Sequence, residues 1–290
     1  MKKTTVSLIL GSGGARGLTH IGIIRWLEEN NYEIKSISGC SMGALVGGFY
    51  AAGKLDAYVE WLSSLNTLDM LKLVDLQGSS GLMKGEKLMK KLQELVGEQN
   101  IEELDIKFTA VATDINEEKE IWMNSGSLLK AIRASISLPM FFTPYRYKGR
   151  LLIDGGILNP VPIAPTFHDE TDLTIAVNLG ATEKGSLALK EKKRDEALLT
   201  KVKEYVVGMA LPKASEESDN MYNIANKSFD SMQSTIARVK LAAYPPDIEV
   251  KVPRDLCGTL DFDKLEELIE YGYALCKESF EKEVLKREVL

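Results

Sequence analysis

The pentapeptide Gly39-Cys40-Ser41-Met42-Gly43 constrains this chain more than any other feature of it. A G-x-S-x-G run, with small residues on both sides of a serine, turns the chain sharply enough to hold a hydroxyl up at the edge of a sheet, and it needs a strand before it and a helix after it. Both are present: Ser36 to Gly39 reads as a short strand, and Met42 to Ala52 as a small-residue helix. A second glycine-rich turn lies upstream, Gly11-Ser12-Gly13-Gly14-Ala15-Arg16-Gly17, after the β-rich run Thr4 to Leu10 and before an apolar stripe of Leu18, Ile21, Ile24 and Leu27. It offers backbone N–H groups near a helix start, the donors that a developing oxyanion requires. The two turns together predict a serine hydrolase.

Further strands are expected at Lys107–Asp114, Ile121–Met123, Leu151–Ile153 and Leu173–Leu179, with helical patterns at Gly85–Val96, Ser127–Ser135, Pro162–His168, Asn220–Leu241 and Asp263–Lys286. Such alternation predicts an α/β fold with a mostly parallel central sheet and helices on both faces, in which function gathers at strand C-terminal ends. Residues 1–290 read as a single domain, with a mobile excursion expected at 183–219, where Lys, Glu and Ser dominate and periodicity fades. Leu55 to Leu76 is crowded with apolar residues, among them Tyr58, Trp61, Leu62 and Leu65. It reads either as core packing or as a lid or acyl-binding wall over the serine.

The 36 basic and 42 acidic residues leave a net charge of −6, which argues against nucleic acid or an anionic membrane held by broad charge attraction. Any lipid contact is then local, apolar and transient. The short apolar run Val6 to Leu10 ends in glycines, so neither a signal peptide nor a spanning helix is expected and a cytoplasmic setting is. Cys40, Cys257 and Cys276 lack metal-ligand spacing and would stay reduced there, so no metal is expected.

Ser41 is a weak nucleophile until a base takes its proton. Two histidines exist: His20, on the first helix, reads as a locally packed or hydrogen-bonded residue, while His168 could complete a Ser–Asp–His order. The stronger candidate is Asp154, where a strand ends in an acid followed by Gly155 and Gly156, two residues free to take unusual backbone angles. The glycine-rich turn satisfies neither rival phosphate-binding template, because a dinucleotide fingerprint meets Arg16 where it needs a small residue and a phosphate loop meets Gly17-Leu18-Thr19 at its end.

The run Asp154-Gly155-Gly156-Ile157-Leu158-Asn159-Pro160-Val161-Pro162, taken with Ser41 and the glycine-rich turn, resembles the patatin-like phospholipase family. Ala134-Ser135-Ile136-Ser137-Leu138-Pro139 is similar to that family's alanine-serine-to-proline segment, and Gly81-Leu82 with Gly85-Glu86-Lys87-Leu88 to stretches of its bacterial members. The resemblance implies a serine–aspartate dyad of Ser41 and Asp154, no catalytic histidine and no cofactor. It implies an oxyanion hole at Gly13, Gly14 and Ala15, with Arg16, Gly17, Gly39, Gly43, Gly155 and Gly156 in support. The family's G-x-G-x-x-G carries Ser12 here in place of its first glycine. The implied activity is hydrolysis of a lipid or small acyl ester; an acyltransferase using the same serine is the alternative.

Overall fold

The computed structural model describes residues 2–65, 69, 73–75, 77, 82–182 and 221–289. An eight-stranded sheet organises them: β1 (Thr4–Leu10), β2 (Tyr32–Cys40), β3 (Lys107–Asp114), β4 (Lys119–Met123), β5 (Tyr145–Tyr147), β6 (Arg150–Asp154), β7 (Leu173–Ala181) and β8 (Ile248–Pro253). Strands β3, β2, β1, β7 and β8 run parallel in that order, while β4 and β6 both lie antiparallel to β3 and β5 is antiparallel to β6. The expected parallel sheet is therefore the centre of a mixed one.

Strand β1 is a near-continuous buried run, as a central parallel strand covered on both faces should be. Its pleat divides it between two cores. Val6, Leu8 and Leu10 point into the main core with helices α1 (Thr19–Glu29), α2 (Met42–Ala51) and α7 (Leu265–Val289). Ile9 points the other way, onto Ala237 and Leu241 of helix α6 (Met221–Ala243). Helices thus cover both faces. Three further helices complete the described set: α3 (Leu55–Ser64), α4 (Glu86–Val96) and α5 (Leu128–Ser135), the last capped by the Ser127 hydroxyl, which accepts the Lys130 amide at 3.4 Å. Among the described residues no helix is long and apolar enough to cross a membrane.

One detail of register builds the site. Residues 110 and 111 of β3 pair with both β2 and β4, and residues 112 to 114 with both β4 and β6. Since a strand has two edges, β2 and β6 share the edge that β4 does not occupy. They meet there tip to tip, Cys40 opposite Val111 and Asp154 opposite Ala112.

Departures from the sequence reading have local causes. The expected helix Pro162–His168 is a single 3-10 turn, Ala164–Thr166, because Pro160, Pro162 and Pro165 remove amide donors from the stretch. Strand β2 begins four residues before Ser36. Strands β5 and β8 and helix α3 were not anticipated: β5 has three residues and β8 is bracketed by prolines. The excursion expected at 183–219 lies outside the described residues.

Candidate active site

Ser41 follows β2 and caps α2 with φ 54° and ψ −125°, a left-handed conformation that costs a non-glycine residue about 1–3 kcal/mol. The surroundings enforce it. The Ser41 amide donates to Ser135 Oγ at 2.9 Å. A Cβ on Gly43 would lie 2.0 Å from the Leu10 carbonyl oxygen and one on Gly39 would lie 2.5 Å from that of Gly43, so the turn closes only with glycine at both positions. Cys40 is fully buried with Sγ 3.4 Å from the Pro160 carbonyl, and burial together with the nearby Asp154 charge raises its thiol pKa, keeping it neutral.

Asp154 is fully buried at the end of β6. Its Oδ1 accepts the Gly156 amide at 2.7 Å within the short turn Gly155–Ile157, and its own amide donates to the Ser137 carbonyl at 3.0 Å. Burial raises the carboxyl from 3.8 to about 6, opposed by the Ser41 hydroxyl and the Gly156 amide, which favour the charged form. Oδ2 has no partner at hydrogen-bonding geometry. The Ser41 hydroxyl thus lies close enough to favour the charged carboxylate without a hydrogen bond between them.

The glycine-rich turn leaves β1 and passes through a 3-10 turn, Gly14–Leu18, before α1 starts. Its amides divide into two groups. Gly11 donates to Val177, Ser12 to Pro160 at 2.8 Å and Ala15 to Thr259 at 2.9 Å. The Gly13 and Gly14 amides donate to no described backbone carbonyl, whereas Ala15, its amide committed to Thr259, drops out of the expected set of oxyanion donors. Arg16, expected to support the turn, is 6% exposed, donates to the carbonyls of Arg254 (3.0 Å) and Cys257 (3.4 Å), and faces Asp230 at 3.9 Å. Gly17 packs against Met42, joining this turn to the elbow.

Neither histidine reaches the serine. His20 is fully buried with Nε2 donating to the Gly11 carbonyl at 2.9 Å, and burial lowers its pKa to about 4, so it is a neutral support of the glycine-rich turn. His168 is exposed beside Asp169, which is bound to Ser7 and to Lys107 at the start of β3, the end of the sheet away from Ser41. The Ser–Asp–His order therefore finds no geometric support.

A cavity of about 240 Å³ opens on Ser41, Gly13 and Gly14. Its apolar walls come from Leu138, Met140 and Phe141 on one side and from Phe229 and Met232 of α6 on the other. No described residue of Leu55–Leu76 lines it: Leu55 and Tyr58 are buried in the main core, with Trp61 and Leu62 packed against it. This resolves 55–62 as core. Sequence reasoning overlooked the α6 wall and Thr259; the apolar spacing of Ala225, Phe229 and Met232 was the available signal. A larger polar groove of about 1280 Å³, between α4 and β5, contains neither Ser41 nor Asp154.

Residues 8–167 match the family model described as Patatin-like phospholipase. The chain is 36% identical to an uncharacterized NTE family protein of Mycobacterium tuberculosis, over 95% of this chain and 91% of that one. It is 28% identical to Lysophospholipase NTE1 of Coccidioides immitis over 98% of this chain and 18% of the larger protein, and 28% identical to Neuropathy target esterase sws of Drosophila melanogaster over 96% and 20%.

Proposed function

The chain belongs to the patatin-like phospholipase family, whose membership supports a lipid acyl hydrolase, and on that premise we propose that it cleaves lysophospholipid or phospholipid acyl esters through an acyl-Ser41 intermediate with Asp154 as the base. One observation carries the reading: a serine held in a strained elbow bears on a buried carboxylate whose pKa is raised to about 6. That pKa leaves Asp154 charged at neutral pH yet far more basic than an exposed aspartate.

In acylation the Ser41 proton passes to Asp154 Oδ2 as Oγ attacks the ester carbonyl, and the amides of Gly13 and Gly14 receive the oxyanion. Collapse expels the alcohol, which takes the proton back from Asp154. Water then repeats the sequence on the acyl-enzyme and frees the acid. Each oxyanion donor in such a site is worth about 10²–10³ in turnover, and the scheme requires no cofactor.

The lipid assignment draws further support from the cavity. At about 240 Å³ it falls below the roughly 300–1,000 Å³ usual for whole small-molecule sites. Only part of an acyl chain fits, and the remainder meets an apolar rim where Met140 is 42% and Met232 is 57% exposed. This suits brief contact with a lipid surface. Three buried free cysteines suit a reducing, cytoplasmic setting. The test is a fluorophosphonate probe followed by a panel of lysophospholipid and phospholipid esters. Labelling of Ser41 with release of free acid, without an added acceptor, supports hydrolysis; acid release only when an acceptor alcohol or thiol is supplied would mark an acyltransferase.

A further inference from the structure

The turn that ends α5 has no part in the chemistry just described, yet both reacting residues are fastened to it. The fully buried Ser135 hydroxyl accepts the Ser41 amide at 2.9 Å and donates to the Val111 carbonyl at 2.7 Å. Two residues on, the Ser137 carbonyl accepts the Asp154 amide at 3.0 Å. Val111 is also the residue opposite Cys40 on β3. Nucleophile and base therefore hang from one short stretch of backbone.

Arg133 locks that stretch. It is 6% exposed, and its Nη1 donates to Ser137 Oγ at 2.6 Å while Ser137 Oγ donates back to the Arg133 carbonyl at 2.7 Å. Its Nη2 reaches the carbonyls of Lys84 (2.7 Å) and Thr143 (3.2 Å), and the guanidinium lies 5.3 Å from the Phe142 ring and 5.5 Å from that of Tyr145. A rigid planar fork suits such a junction, because several carbonyls and rings are engaged at fixed angles by one group. These bonds grip the chain on either side of Leu138 to Phe141, which walls the cavity beside Ser41.

We propose that Ser135 and Ser137, locked by Arg133, are positioning residues that set the approach of the Ser41 hydroxyl to the Asp154 carboxylate. The proposal rests on the dyad reading. An amide held by a side-chain acceptor fixes the strained φ of Ser41; with that acceptor gone the amide is a buried donor without a partner, and relaxation swings Oγ away from the base. Misplacement of a reacting group by about 1 Å costs on the order of 10²-fold in rate.

The test uses the full chain bearing Ser135→Ala, Ser137→Ala or Arg133→Met, with Asp154→Asn as reference. Active sites are titrated with a fluorophosphonate and Tm is measured for each variant. For Ser135→Ala, well below its Tm, kcat on a soluble ester and the labelling rate constant should fall together by about 10–100-fold while KM stays within about twofold. Arg133→Met should move the pH midpoint of kcat/KM downward, because a loosened Asp154 admits water that favours its charged form; Ser137→Ala should move it the same way by less. If Ser135→Ala does not fold, the midpoint shifts decide. A Ser135→Ala enzyme with lowered Tm and wild-type kcat per titrated site, or an unmoved midpoint in Arg133→Met, would overturn positioning alone, provided that Asp154→Asn is inactive. An active Asp154→Asn would overturn the dyad and this proposal with it.

Discussion

Cys40 and Asp154 pair with consecutive residues of β3, Val111 and Ala112, along a single edge. The separation of Ser41 from Asp154 is therefore fixed by strand register, since each residue stands at the tip of a hydrogen-bonded strand. Sites built on regular elements hold their geometry more tightly than sites on loops.

Ser41→Ala should abolish both fluorophosphonate labelling and ester turnover. Cys40→Ala should retain most activity, because the thiol is buried, neutral and engaged with Pro160. Mass mapping of the labelled peptide checks this, and a probe adduct on Ser135 or another serine of Ser41→Ala would refute the assignment.

Asp154 must be charged to accept a proton, so kcat/KM should climb about tenfold per pH unit in acid and level off above about 6. Asp154→Asn keeps the shape and should lose about 10³-fold or more. His168→Ala should leave the profile unchanged, its side chain being exposed at the far end of the sheet.

Two buried groups make opposite contributions to stability over almost the same pH range. Asp154 has a folded pKa of about 6 against 3.8, so the native state binds the extra proton and stability falls as pH rises from about 4 to 6. His20 has a folded pKa of about 4 against 6.5, so the unfolded state binds the extra proton and stability rises with pH between about 4 and 6.5. Each amounts to about 3 kcal/mol at 1.36 kcal/mol per unit, and they largely cancel. Asp154→Asn should therefore be the more stable protein at pH 8, by up to about 3 kcal/mol, with an advantage that vanishes near pH 4. Denaturant unfolding of both proteins across that range is the measurement; an inactive variant no more stable at pH 8 would show that the carboxylate is not strained by burial.

Acyl-chain preference should follow the α6 wall. Each methylene buried is worth roughly 0.8 kcal/mol, about fourfold in kcat/KM, over the first few carbons. Met232→Asn or Phe229→Asn should flatten that dependence while sparing an acetate ester. Trp61→Ala, which trims a residue packed against the main core, should lower Tm and leave the dependence intact. Equal losses on short and long esters in the α6 variants would remove the wall's role.

Most of the frame was legible in the sequence because its signals are local. The glycines flanking Ser41, the Asp154-Gly155-Gly156 turn and the full spans of β1 and β3 follow from short-range sterics and alternation. What stayed hidden depends on long-range closure. The seating of Ser41 on Ser135 joins residues 94 positions apart. The burial of Arg16 under the Arg254 and Cys257 carbonyls spans 238 and 241 positions, and the commitment of the Ala15 amide to Thr259 reaches just as far along the chain. The apolar density of Leu55–Leu76 was visible; which way it faced was not, because core and ligand wall call for the same side chains.

The grip on the glycine-rich turn comes from the far end of the chain. The carbonyls of Arg254, Cys257 and Thr259 receive Arg16 and Ala15, so the turn after β1 gains its seat only once β8 and the loop beyond it are in place. Ser41 and Asp154 are brought together by β2, β3 and β6, whereas the turn proposed to bind the oxyanion depends on residues 254–259 for its seat. On the proposed mechanism, a protease nick in the 254–259 loop should abolish ester turnover while leaving Ser41 and Asp154 in place.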